Sequence, residues 1–232
     1  LRAAAANWQA LATWAAGLES NEDSLLVDIG STTTDIIRLR ENEVRCSGRS
    51  DTERLRAGEL VYTGVRRTPV CAILEEADLN GVASPLAAEH FATTLDTWLL
   101  LDEISEDPAC LSTADGRPAT CQLARDRLAR MLCLDPGELS KEDALELAEQ
   151  VARAQEDKIC QAIGRLIEME KPAGAFISGE GEFLALRALR SLGLDDDRIT
   201  SMSRLYDSAA SEAACAFALA RLATDGEAPL EA

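Results

Sequence analysis

The stretch DSLLVDIGSTTTDIIRLR (Asp23–Arg40) constrains this chain more than any other. An apolar run ends in an acid and a glycine, passes through four consecutive hydroxyl residues, meets a second acid and turns apolar again. A simple hairpin asks only for Asn-Gly or Asp-Gly at its bend. The pattern predicts a strand over 25–29, a tight loop, and a second strand over 33–39. Gly30 lets the backbone approach a ligand closely. The N–H groups of Ser31, Thr32, Thr33 and Thr34 can then converge on an oxyanion, with their hydroxyls as further donors. Asp28 and Asp35 flank the bend and are candidates to hold Mg2+, directly or through water. No Gly-Lys-Ser/Thr follows, so this is not a P-loop. The plainer alternative is a hairpin carrying strand-favouring threonines on a solvated face.

Charge sharpens the question. The 232 residues carry a net charge of −18, which argues against nucleic acid or an anionic membrane as partner. An anionic ligand then needs local Arg side chains, backbone N–H groups or a divalent cation. Aromatics make up 4% of the chain, so Leu, Ala, Ile and Val must build the core. The seven cysteines include no CxxC and are joined by one histidine, His90, which fits neither a zinc site nor a disulfide framework. Reduced thiols in a cytoplasmic protein are expected. No apolar run reaches the ~18 residues of a membrane helix, and no signal peptide is visible. Leu1 is not an initiator Met and a helix is already under way there, which suggests a chain without a natural N-terminus.

Along the chain, residues 3–18 predict a helix, and 43–47 a third strand after Glu41-Asn42. RTPVCAIL (67–74) reads as a strand. Ser84-Pro85 reads as a helix start, with Phe91, Leu95, Trp98 and Leu99 as its apolar face. Residues 107–120 are loop-like. A capping box at Ser140 and Asp143 opens a long helix. AGAFISGEGEFLALRALRSLG (173–193) is strand, glycine turn, helix. RITSM (198–202) is a last strand, and 208–222 a last helix. A meander followed by alternating strands and helices implies an α/β fold with a mixed sheet.

The second glycine turn holds Ser178, Gly179, Glu180, Gly181 and Glu182 before a helix. A helix N-terminus offers unpaired N–H groups to a phosphate or ribose. Glu180 and Glu182 repel an anion there unless a cation intervenes, and a purely structural turn is the alternative.

The pair LLVDIGSTTTDI and, about 150 residues later, FISGEGEF resembles the acetate and sugar kinase, actin and heat-shock chaperone superfamily. The DIGSTTTD variant is most similar to its hydantoinase/oxoprolinase branch. Within that branch AAANW (4–8), GRSDTERLRAGELVYTGVRRTPVCA (48–72), FATTLDTWLLL (91–101), TADGRPAT (113–120) and SGEGEFL (178–184) resemble the tetrahydromethanopterin-linked one-carbon pathway family. That family is associated with (4-{4-[2-(γ-L-glutamylamino)ethyl]phenoxymethyl}furan-2-yl)methanamine synthase activity. The resemblance implies a ribonuclease-H-like, actin-like fold, of which 1–232 is the second lobe. Residues 24–75 and 173–203 would form the sheet and 84–170 a mainly helical insertion. Family members begin with another Asp-Ile-Gly loop on an N-terminal lobe, which is not seen before Leu1.

The same resemblance implies a condensation. A furanylmethyl diphosphate would lose diphosphate to the phenol oxygen of γ-glutamyltyramine. Neutralising the leaving group would fall to the hydroxyl loop, Mg2+ at Asp28 and Asp35, and Arg66 and Arg67, surface pairing with acids being the other role for the two arginines. Glu59 could take the phenol proton or bind the substrate amine, or be a plain solvated helix acid. Tyr62, with Thr63 and Gly64, could stack on or bind substrate, core packing being the other role for Tyr62. Asp96, beside Thr93 and Thr94, either contacts ligand or faces water. Asp115 and Arg117 either close over substrate or make a structural turn. The competing readings are an ATP-dependent kinase or hydantoinase/oxoprolinase-like enzyme, with adenosine at Gly179–Gly181, and a non-catalytic nucleotide-binding regulator. The oligomeric state stays open.

Overall fold

The computed structural model describes residues 7–18, 23–167 and 171–225. The part of the first expected helix at residues 3–6 lies outside them. In chain order the elements are α1 (Asn7–Leu18), β1 (Ser24–Ile29), β2 (Thr34–Arg40), β3 (Glu43–Arg45), α2 (Asp51–Ala57), β4 (Leu60–Val61), β5 (Glu76–Leu79), β6 (Val82–Pro85), α3 (Thr94–Leu100), α4 (Cys121–Met131), α5 (Lys141–Ile167), β7 (Gly174–Ser178), α6 (Glu182–Ser191), β8 (Ile199–Ser201), α7 (Met202–Leu205), α8 (Ser208–Glu212) and α9 (Ala214–Asp225). They fall into two compact units, residues 1–62 with 159–232, and residues 63–158.

The first unit is built on a sheet of order β3-β2-β1-β7-β8, with β4 added to β2. β1, β2 and β3 run antiparallel, while β7 and β8 lie parallel to β1. This is the mixed, ribonuclease-H-like arrangement expected from the resemblance. Every residue of β1 is buried, as in a strand covered on both faces.

Strand alternation then decides where the chemistry sits. Leu26 of β1 lies opposite Ile37 of β2 and beside Phe176 of β7. All three join Trp8, Leu11 and Trp14 of α1 and Ala214 and Ala218 of α9 in one core. Trp14 meets Phe176 edge-on at 5.7 Å. Two residues further along each strand the same face carries Asp35, Asp28 and Ser178 in register. An apolar row is thus followed by a polar row at the end of the sheet.

The second unit has its own core, in which Val70, Ala77 and Ala92 pack with Leu128, Met131, Leu147 and Val151. Two expectations fail here. RTPVCAIL is not a strand: Val70–Ala72 closes into a 3₁₀ turn, Ala72 donating to Pro69 O at 3.0 Å and Ile73 to Val70 O at 2.9 Å. Nor does Ser84-Pro85 open a helix, because β6 pairs with β5 across Asn80-Gly81. Both turn residues have positive φ, 55° and 79°, the geometry of a two-residue type I′ hairpin. The helix begins only at Thr94, where Thr93 and Asp96 form a capping box. The capping box at Ser140 does open α5, Asp143 N–H donating to Ser140 Oγ at 3.0 Å.

Candidate anion-binding site

Gly30–Thr33 forms the bend between β1 and β2, closed by a 3.0 Å bond from Gly30 N–H to Thr33 O. Among the described residues, the N–H groups of Ser31, Thr32 and Thr33 have no protein acceptor. Thr34 is already a strand residue and buried. The bend opens on a pocket of about 380 Å³ lined by Asn7, Trp8, Asp28, Thr32, Thr33, Asp35, Asp51, Arg54, Leu60, Tyr62 and Cys215.

Asp28 and Asp35 are direct cross-strand partners, which places like charges opposite one another on one face. Asp28 is 8% exposed and accepts a 2.7 Å bond from Ser178 Oγ. Burial, then the Asp35 charge, push its carboxyl up to about 7, against the Ser178 hydroxyl. For Asp35, burial pushes upward and the Arg54 ion pair pulls back. Two opposed carboxylates beside threonine hydroxyls are hard oxygen donors of the kind Mg2+ prefers. No group of three His, Cys, Asp or Glu is gathered among the described residues. An ion at Asp28 and Asp35 would therefore complete its shell with water and phosphate oxygens, the usual magnesium habit.

Sequence reasoning missed Arg54. Its Nη2 donates to Asp35 Oδ1 at 2.6 Å and to Glu59 O at 3.1 Å, and its guanidinium lies 4.0 Å from the centroid of the Trp8 ring. The side chain is 1% exposed and its Nε has no partner. The only signal was for its helix: Ser50 and Glu53 make a capping box at the start of α2, an S-x-x-E spacing that marks where the helix begins. Cys215 also borders the pocket. Burial and the nearby Asp28 and Asp35 charges push its thiol up to about 12, so it is a poor nucleophile.

Glu59 does not open on this pocket as a base. It is 2% exposed, and its carboxylate accepts from the N–H groups of Ser47 and Gly48, at 2.5 and 3.0 Å, and from Cys46 Sγ–H at 2.8 Å. It clamps the 46–48 segment. Tyr62 is 65% exposed on the pocket rim rather than in the core.

The second glycine turn is joined to the first bend. Gly181 N–H donates to Ile29 O at 2.8 Å. Gly179 has φ +90°, and a Cβ there would lie 2.3 Å from Ile29 O. Gly30, Gly179 and Asp28 border a further pocket of about 250 Å³. Glu180 is half-buried. The Glu182 carboxylate is taken up by protein donors: Ser201 Oγ, Ser203 N–H and Ser203 Oγ donate to it at 2.6, 2.8 and 2.7 Å, and Ser211 Oγ donates as well.

The remaining candidates belong to the second unit. Thr63 and Gly64 are buried, with Gln155 Nε2 donating at 2.9 Å to both Thr63 Oγ1 and Gly64 O. Asp96 does not face water: it is fully buried and accepts from Arg127 Nε at 2.8 Å. Asp115 accepts from Arg117 Nε at 2.7 Å and Arg127 Nη1 at 3.2 Å. Burial pushes Asp115 up, but Arg117 and Arg127 outweigh it and hold the carboxyl below its usual range. Arg66 is half-buried and Arg67 exposed.

Residues 1–225 match the hydantoinase/oxoprolinase family. The chain is 32% identical over 223 residues to a protein of Methanocaldococcus jannaschii named (4-{4-[2-(γ-L-glutamylamino)ethyl]phenoxymethyl}furan-2-yl)methanamine synthase. That match covers 96% of this chain and 65% of the relative. A protein of the same name from Methanococcus vannielii is 30% identical over 203 residues, covering 87% of this chain and 91% of its own length. A solved ROK family glucokinase from Streptomyces griseus, in complex with glucose and AMPPNP, aligns with a TM-score of 0.41 at 15% identity, over 94% of this chain and 67% of that one. A putative N-acetylmannosamine kinase from Listeria monocytogenes aligns with a TM-score of 0.38 at 16% identity, over 94% and 64%. These two likenesses are too loose to bear on the site. The match over residues 1–225 carries the assignment: this chain belongs to the hydantoinase/oxoprolinase family.

Proposed function

We propose that the chain serves the reaction for which its relatives are named, as an enzyme that makes the phenoxymethyl-furan ether. The substrates would be a furanylmethyl diphosphate and γ-glutamyltyramine. The furanylmethyl C–O bond to diphosphate breaks, its electron pair leaving on the diphosphate. The phenol oxygen forms the new C–O bond, and its proton passes to the departing diphosphate or to solvent. One observation carries this reading: the N–H groups of Ser31, Thr32 and Thr33 have no protein acceptor, and the bend they form borders the pocket that also holds Asp28, Asp35 and Arg54.

In this reading the bend binds the terminal phosphate oxygens, where donors stabilise the growing charge of the leaving group. Asp28 and Asp35 would hold Mg2+, which when bound supplies Lewis-acid neutralisation of the diphosphate. Tyr62, exposed on the rim, offers a ring face to the aromatic substrate. A cytoplasmic setting goes with this reading, and no described helix is long and apolar enough to cross a membrane. The test is incubation of the chain with both substrates and Mg2+, following pyrophosphate release and ether formation. Absence of both products, with either substrate consumed in another way, overturns the reading.

A second reading is favoured by the pocket at Gly30 and Gly179: an ATP-dependent enzyme of the same family, with the nucleotide placed against the glycine turn. Tight ATP binding with hydrolysis, in the absence of the diphosphate substrate, would select it.

A further inference from the structure

The charged lining of the candidate pocket is three acids, Asp28, Asp35 and Asp51, and one base, Arg54. In a chain of net charge −18, that lining repels a phosphate group unless something offsets it. We infer that Arg54 is a positioning residue for the anion: its fixed charge cancels that of Asp35, so that the hydroxyl bend can accept a diphosphate. This rests on the diphosphate reading above, and adds to it the residue that makes the site electrostatically competent.

The guanidinium is held on three sides, by Asp35 Oδ1 at 2.6 Å, by Glu59 O at 3.1 Å and by the Trp8 ring at 4.0 Å. It is 1% exposed, so it acts through Asp35 and through its field, not by touching the ligand. A guanidinium does not deprotonate in a protein, and its field is weakly screened in a buried setting. Much of the surrounding segment serves to hold this one side chain. Ser50 and Glu53 cap α2, and Gly58 ends it in the left-handed region. A Cβ on Gly48 would lie 2.5 Å from Arg54 N, so only glycine lets the 46–48 segment pass. Glu59 then clamps that segment through Ser47 and Gly48.

The experiment is calorimetric titration of the full chain with inorganic pyrophosphate in metal-free buffer. Arg54→Gln should weaken binding by about tenfold or more, the weight of one buried charge near the ligand. Arg54→Lys should bind more tightly than Arg54→Gln but more weakly than wild type, because it keeps the charge and loses the forked bonds and the contact with the Trp8 ring. The decisive variant is Arg54→Gln with Asp35→Asn: deleting both charges should restore most of the affinity, which a merely structural Arg54 would not allow. Should Arg54→Gln fail to fold by circular dichroism, the lysine and double variants carry the test. Wild-type failure to bind pyrophosphate, unchanged binding by folded Arg54→Gln, or a double variant no better than Arg54→Gln each overturn the inference. Turnover separates it from the reading beneath it. Ether formation with Arg54-independent pyrophosphate binding sinks only this inference. Charge-dependent pyrophosphate binding without ether formation sinks only the synthase.

Discussion

At the scale of single residues, Asp28 and Gly179 carry the sharpest expectations. The Asp28 carboxyl is pushed up to about 7 by burial first and the Asp35 charge second. The folded state therefore keeps a proton that the unfolded chain releases near pH ~4. Stability from this group is full below that pH and is lost as pH climbs through the folded value. Between the two, in metal-free buffer, wild type should lose on the order of a few kcal/mol relative to Asp28→Asn. Urea midpoints of the two proteins across that range check this, and a wild-type curve parallel to the variant's refutes it. Gly179→Ala combines a positive φ with a Cβ 2.3 Å from Ile29 O. It should cost about 2 kcal/mol or more, again read from urea unfolding. The bend, the two acids and the glycine turn were legible because their residue types are uncommon at such spacing. Arg54 was legible only in part: the Ser50 and Glu53 spacing marks the start of its helix, but an arginine in a charged helix looks like a solvated face until the tertiary structure buries it. Glu59 and Glu182 misled for the mirror reason: sequence shows an acid, and only the fold shows three N–H or S–H groups closing around Glu59 and four N–H or O–H groups around Glu182.

At the scale of elements, α5 ties together the polar heart of the second unit through one side chain. Gln155 accepts from Trp98 Nε1 at 3.0 Å while donating to Thr63 Oγ1 and Gly64 O at 2.9 Å each. Gln155→Leu removes all three buried bonds, while Gly64 O keeps Thr94 Oγ1 as a donor at 2.7 Å, for a cost of about 1–3 kcal/mol. Hydrogen exchange should report it as faster exchange in α3 and the N-terminal part of α5, and unchanged protection there would refute it. The elements of the first unit were readable from the sequence because alternation and apolar runs dominate its strands. In the second unit the hairpin of β5 and β6 was hidden by a Ser-Pro pair that mimics a helix start, although Asn80-Gly81 was the stronger local signal. The 67–74 segment looked like a strand by composition, but Pro69 and the turn behind it overrode that preference.

At the scale of the whole molecule, charge is the dominant quantity. A chain at −18 pushes on itself, and that repulsion is screened as the Debye length falls from ~30 Å at 0.01 M salt to ~3 Å at 1 M. The melting temperature should therefore rise by several degrees between about 10 and 500 mM NaCl. A flat or falling curve in differential scanning calorimetry would mean that the acids are already balanced locally. The α/β class followed from the order of strands and helices alone. The division at residues 62/63 and 158/159 did not, because the second boundary falls inside α5, where no change of composition marks it. The bond from Gly181 to Ile29 has a mechanical corollary for the first unit. The two turns, far apart along the chain, are riveted main chain to main chain, so neither can tilt, lengthen or breathe without dragging the other. A shift of either turn therefore loads a direct hydrogen bond to the other.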